Sequence, residues 1–213
     1  MGKVCNVKIS LARSAYGKAI HPAPGAGLHS ERRIAMMNAS FGKVCSFLHV
    51  DDSADELYFV REVAALTGLP FHIEPFLNAD EALAYISGEG PFQDRRAYPV
   101  PDFLLLDYDL KATVAPRVID AMRKLPHGKS LPIVVYSNSA DQADALRCYQ
   151  AGGSQYLVKP ARLSRVRVIL ETLYQCATSK PPDFQLIESL REHRWHFAHS
   201  AGEKCSDGPR EKR

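Results

Sequence analysis

The sequence predicts an α/β fold: a doubly wound, five-stranded parallel sheet with helices on both faces. Three observations carry this expectation. Short unbroken apolar runs, such as Phe103–Leu106 and residues 132–136, read as strands buried on both faces, as in a parallel sheet covered by helices. Amphipathic stretches of helical period separate these runs, so strand and helix alternate five times, which favours right-handed crossovers in one sheet. Finally, the runs end on polar groups, and in open α/β sheets the ligand site lies outside the carboxyl ends of the strands.

The elements follow in order. Residues 45–50 form the first strand candidate and end in Asp51-Asp52. Ser53 and the acidic Asp55 and Glu56 start a helix. That helix presents Leu57, Val60, Val63, Ala64 and Leu66 and stops at Gly68. Residues 71–76 are the second strand. Asn78 caps a helix through Ala82, Leu83 and Ile86, which ends at Gly88. Residues 89–100 read as a long loop, in which Arg95-Arg96 form a solvated face. The third strand runs into Asp107. A helix is expected over residues 114–125, with Val118, Ile119, Met122 and Leu125 inward. The fourth strand, 132–136, ends at Ser137-Asn138, and a helix with Ala143, Leu146 and Tyr149 follows it to Gly152-Gly153. The fifth strand, 155–158, ends at Lys159-Pro160, and the fifth helix covers about residues 163–176.

Composition bounds the rest. The chain has 213 residues, 46% hydrophobic and 24% charged, which suits one globular domain with extensions. No stretch reaches the ~18 apolar residues of a membrane span. The net charge of +3 is uneven: residues 1–43 carry +6 and the remainder −3. The core is therefore no nucleic-acid surface by charge. Residues 1–43, broken by Pro22, Pro24, Gly25 and Gly27, read as a basic, disordered extension or as sequence upstream of Met36 or Met37. Their basic, acid-poor composition is also that of an organelle transit peptide. Residues 44–178 form the domain. Residues 179–213 form a tail in which Phe184, Ile187, Leu190 and Trp195 suggest one more amphipathic helix past Pro181-Pro182. The five cysteines have no paired spacing and fit free thiols in the cytoplasm.

Collected by strand end, the polar groups form a constellation. The first strand delivers Asp51 and Asp52, the third Asp107, the fourth Ser137 and the fifth Lys159. Crowded carboxylates repel unless a cation stands between them. Mg²⁺ answers that need with oxygen ligands and substrate phosphate oxygens. Lys159 and Ser137 suit a phosphoryl group as point charge and hydroxyl donor. An aspartate can be the nucleophile that forms an acyl phosphate.

On these residues the chain resembles the receiver domain of two-component response regulators. The resemblance spans about residues 44–178. It rests on Asp51-Asp52, Phe-Leu-Leu-Leu-Asp107, Val-Val-Tyr-Ser137 and Tyr156-Leu-Val-Lys159-Pro160, and on the Gly90 to Pro99 loop of receivers that work beside bacterial phytochrome-type kinases. It implies a flavodoxin-like fold of receiver type. It also implies a single-domain, non-enzymatic phosphorylation switch that takes a phosphoryl group from a sensor histidine kinase or phosphotransfer protein with Mg²⁺ as cofactor. By the same resemblance Asp107 is the phosphoacceptor. Asp52 is a direct metal ligand, Asp51 acts through water, and the Asp109 backbone carbonyl completes the metal site. Ser137 is the switch hydroxyl, Lys159 the phosphate-binding lysine and Tyr156 the switch aromatic. The output would be a changed surface near Tyr156 and the fourth helix, read by a partner or by a second copy in a homodimer. No direct nucleic-acid or membrane contact is expected.

Two positions depart from the family pattern: Lys111 and Ala115 stand where proline and glycine are usual. Asn138 replaces a small residue. Two alternatives follow. The altered loop would suit a phosphorylation-independent interaction module. Asp107-Tyr-Asp109 also resembles the nucleophile and acid of haloacid dehalogenase-like phosphatases, but in that family the acidic metal pair follows the lysine, whereas Asp51-Asp52 come first. His49, inside the first strand, reads as a structural residue.

Overall fold

The structure, a computed structural model, describes residues 43–184 and residue 187. The basic extension up to residue 42 and most of the tail, with its expected helix, lie outside the described residues.

Five parallel strands form one sheet: β1 (Cys45–Val50), β2 (Phe71–Phe76), β3 (Phe103–Leu106), β6 (Ile133–Ser137) and β7 (Gln155–Val158). Two short strands, β4 (Asp109–Leu110) and β5 (Thr113–Val114), stand outside it. The spatial order of the sheet is β2-β1-β3-β6-β7. The helices are α1 (Ala54–Thr67), α2 (Ala79–Ser87), α3 (Ala115–Lys124), α4 (Gln142–Gln150) and α5 (Leu163–Thr178). The expected doubly wound architecture is present, with each element within a residue or two of its expected bounds.

Strand alternation splits the core in two. Leu104 and Leu106 of β3 join Leu48, Val50, Ile133 and Val135 under α2, α3 and α4. Phe103 and Leu105 join Phe47, Val134 and Tyr136 under α1 and α5. Both sets are buried because the sheet is covered on each face, which is why the strands read as unbroken apolar runs. Phe47 stacks on Phe103 with ring centroids 4.6 Å apart, near the closest separation favourable for offset rings. Of the five strands in this sheet, β2 alone is half-buried along most of its length; it is an edge strand, which also explains how it tolerates Pro75.

The caps expected from sequence form. Ser53 accepts a hydrogen bond from the Glu56 amide at 3.3 Å and Asn78 one from the Glu81 amide at 2.9 Å. Gly88 closes α2 at φ 77°, a left-handed conformation that favours glycine. A Cβ there would also stand 2.8 Å from the Arg95 guanidinium.

Three features differ from the expectation. First, β4 and β5 pair as a two-stranded antiparallel ladder between β3 and α3. Its turn is Lys111-Ala112, and the buried Ala115 amide donates to the Tyr108 carbonyl at 2.8 Å. Ala115 thus begins α3, with Pro116 in the first turn. Of the family departures, Lys111 stands in the turn of this hairpin and Ala115 directly follows it.

Second, Arg95 is not a solvated loop residue. It donates to the carbonyls of Tyr85 at 2.7 Å, Ile86 at 2.6 Å and Tyr98 at 3.3 Å. The end of α2 leaves carbonyls without helical partners, and Arg95 supplies them with charged donors. Arg96 is exposed. Arg95→Ala is expected to cost about 2 kcal/mol of stability, read as a lower urea midpoint at unchanged slope. A midpoint within error of the parent would show that water replaces the guanidinium without loss.

Third, packing continues past Pro181-Pro182. The Phe184 ring meets Phe103 edge-on with centroids 5.8 Å apart, and the Phe184 carbonyl accepts from Gln155 Nε2 at 3.2 Å. Ile187 is fully buried. Two apolar side chains spaced three apart can still cover the sheet after the prolines end α5.

Cys45, Cys148 and Cys176 are buried free thiols. Burial raises all three, Cys148 to about 12 and Cys176 to about 11. They stay protonated, as packing residues rather than nucleophiles.

Candidate phosphoacceptor site

The sheet register brings the predicted polar groups together. Val50 and Leu106 are register partners, so Asp51 and Asp107 leave adjacent strands side by side. Ser137 pairs with Val158, so Lys159 follows directly, its amide donating to the Ser137 carbonyl at 2.7 Å. Asp51, Asp107 and Ser137 are all buried.

Lys159 is the centre of the arrangement. Its ammonium lies 2.7 Å from Asp107 Oδ1 and 2.8 Å from Asp51 Oδ2, with Glu56 Oε2 at 3.9 Å. Its side chain is 8% exposed. Burial alone would lower its pKa, but the bonds to Asp107 and Asp51 prevail and raise it. Asp107 goes the other way for a carboxylate: burial and the nearby Asp51 raise it despite Lys159 and the Asp109 amide. Two buried acids share one cation, and one of them bears the excess charge.

The remaining predicted residues fall as follows. Asp51 Oδ1 accepts from the Ser53 amide at 2.9 Å, which fixes its orientation. Asp52 is half-buried. Its carboxylate lies 3.8 Å from Lys111 Nζ, which also donates to the Asp52 carbonyl at 3.2 Å. Asp109 is exposed; its amide, not its side chain, reaches Asp107 Oδ2, at 3.0 Å. Ser137 Oγ accepts from the Ser139 amide at 3.0 Å. Tyr156 is fully buried with its hydroxyl donating to the Ser139 carbonyl at 3.0 Å. His49 is buried behind the site, as a strand residue.

Sequence reasoning misses three participants. Glu56 reads as a helix-dipole residue. Lys111 reads only as a missing proline. Tyr108, next to Asp107, is held by Asp144 and Arg147 of α4; its adjacency to Asp107 is the one signal the sequence offers.

The donors suit a hard divalent cation by type: three carboxylates at strand ends. Asp51 and Asp107 already converge on a single positive charge, the Lys159 ammonium, which stands in for such a cation. Among the described residues no three acidic, histidine or cysteine side chains stand close enough to hold a metal as placed. Asp51 and Asp107 lie against Lys159, and Asp52 near Lys111.

Residues 47–171, more than half of the chain, match the model of the response regulator receiver domain. The chain belongs to that family, whose members serve phosphorylation-based two-component signalling. It is similar to the response regulator Rcp1 of Synechocystis sp., 25% identical over 116 residues that cover 54% of this chain and 77% of that protein. It also superimposes on the phosphorylated cyanobacterial phytochrome response regulator RcpA with a TM-score of 0.57 at 25% identity, covering 64% of this chain and 95% of that one. The Mn²⁺-bound form of Rcp1 has the same fold, with a TM-score of 0.53 at 22% identity, covering 62% of this chain and 92% of that one. Among the described residues no helix is long and apolar enough to cross a membrane.

Proposed function

We propose that Asp107 accepts a phosphoryl group from a sensor histidine kinase or phosphotransfer protein, with Mg²⁺ as cofactor. The phosphorylated form would present an altered surface around Tyr156 and α4 to a protein partner or to a second copy of the chain. The observation that carries this reading is one buried ammonium, Lys159, held against the carboxylates of both Asp107 and Asp51.

Asp107 acts as the nucleophile. Its carboxylate oxygen bonds to phosphorus, the bond from phosphorus to the donor breaks, and the donor leaves with that electron pair, giving an acyl phosphate. Phosphoryl transfer asks the protein for positioning and charge rather than covalent chemistry. Lys159, 2.7 Å from Asp107, supplies positive charge where the phosphoryl oxygens gather. The Asp109 amide orients the carboxylate at 3.0 Å. Ser137 offers a hydroxyl from the neighbouring strand end. Asp51, Asp52 and Asp107, with the Asp109 carbonyl, would hold Mg²⁺. When bound, that ion neutralises the crowded carboxylates and the incoming phosphate. The phosphorylated state of RcpA and the Mn²⁺-bound state of Rcp1 are properties of those proteins that support the reading. Cysteines without paired spacing suit a reducing, cytoplasmic location.

The test is incubation with Mg²⁺ and acetyl phosphate, followed by intact mass, beside Asp107→Asn. The expected result is one added phosphoryl group, absent from the variant and from a sample in chelator. An adduct that survives in Asp107→Asn would move the acceptor elsewhere. No adduct at any time, with Mg²⁺ binding also absent, would favour a phosphorylation-independent module.

A further inference from the structure

Asp144 occupies the first turn of α4, where an acidic residue is usually explained by the helix dipole. That role would leave its carboxylate in water. Instead both oxygens are committed to other segments, and the side chain is only 14% exposed. Oδ1 accepts from the Tyr108 hydroxyl at 2.7 Å and Oδ2 from the Ser139 hydroxyl at 2.7 Å. Arg147, one turn along, bonds Oδ1 and also donates to the Tyr108 hydroxyl at 3.2 Å. Burial would raise the Asp144 carboxyl, but the hydrogen bonds from Tyr108 and Ser139 and the Arg147 charge hold it below the usual carboxylate range.

Ser139 carries these bonds onward. Its amide donates to Ser137 Oγ at 3.0 Å and its carbonyl accepts from the Tyr156 hydroxyl at 3.0 Å. The Tyr156 ring packs edge-on against Tyr108 with centroids 6.2 Å apart. The contacts therefore close a circuit from the residue after Asp107, through α4, to the loop after β6 and back through Tyr156.

We propose that Asp144 is a positioning residue for the switch: it latches Ser139 to Tyr108 and so fixes the loop after β6 that holds Ser137 Oγ and the buried Tyr156 hydroxyl. The meaning given to Ser137 and Tyr156 rests on the receiver reading above. A displacement of Ser137 toward Asp107 pulls on Ser139 and, through Asp144, on α4. The signal then leaves the site as a movement of α4.

The test is made on the full unphosphorylated chain, so it stands apart from whether Asp107 accepts phosphate. Backbone amide exchange and the reactivity of Tyr156 toward tetranitromethane are compared between the parent, Asp144→Ala and Asp144→Asn. With Asp144→Ala the Ser139 amide is expected to exchange about tenfold faster, the loss of roughly one to two net hydrogen bonds. Tyr156 becomes reactive, and the β3 amides keep their protection. Asp144→Asn, which retains an acceptor oxygen, recovers part of the protection. Tyr156 still unreactive and Ser139 exchange unchanged in Asp144→Ala, with β3 intact, would overturn the latch. So would an Asp144→Asn variant as loose as the alanine.

Discussion

Acidified from pH 7 to pH 5, the protein is expected to lose about 2 kcal/mol of stability through His49 alone. His49 is 1% exposed in the central part of the sheet, and its Nδ1 has no hydrogen-bond partner among the described residues. Burial, and secondarily the Lys159 charge, push it from an ordinary 6.5 down to about 3. The sign follows from proton counting. Between those values the unfolded chain binds a proton at this imidazole that the fold refuses. Unfolding is therefore favoured increasingly as pH falls below about 6.5, by up to about 1.4 kcal/mol per pH unit. Urea unfolding at pH 7, 6 and 5 reads this directly. His49→Leu, which keeps an apolar side chain against the α1 and α5 face, should flatten the slope by about one proton. An unchanged slope in the variant would assign the acid sensitivity to other groups.

The second large effect is expected at Lys159. Removing one partner of a buried charge pair costs about 3–5 kcal/mol, because the other charge is left without compensation. Here two carboxylates lose their cation at once. Lys159→Ala measured in chelator at pH 7 is therefore expected to unfold about 3 kcal/mol more easily than the parent. The deficit relative to the parent should shrink at pH 5. Asp107, already raised by burial and by Asp51, takes a proton more readily once the ammonium is gone, and protonation ends the repulsion. Added Mg²⁺ should narrow the deficit at pH 7 as well. A deficit that is equal at both pH values would mean that the lost side-chain packing, and not the charge, sets the cost.

Much of this site is legible in the amino-acid sequence, for a physical reason. Unbroken apolar runs determine which strands are covered on both faces. The residue after each run must then stand at a strand end, so Asp51, Asp107, Ser137 and Lys159 group together without a single distance being known. The helix caps at Ser53 and Asn78 are readable because capping is local in sequence. The rest depends on side-chain direction across elements. Asp144 and Arg147 look like any helix-surface ion pair; only the packing of α4 against α3 and β7 brings the pair to Tyr108. Lys111 meets Asp52 because a two-residue ladder bends the chain back, and two-residue strands leave no periodicity. Arg95 looks solvated because its partners are backbone carbonyls at the end of α2, which carry no sequence signature.

The Lys159 bridge to Asp51 joins positions 108 residues apart. A chain made from its amino end completes β1 and β3 long before β7 exists, and folding of the amino-terminal part can begin during synthesis. Until β7 adds to β6, Asp51 and Asp107 face each other without their counter-charge. Their mutual repulsion disfavours the partial sheet. Addition of the last strand both completes the sheet edge and brings Lys159 to the two acids at its centre.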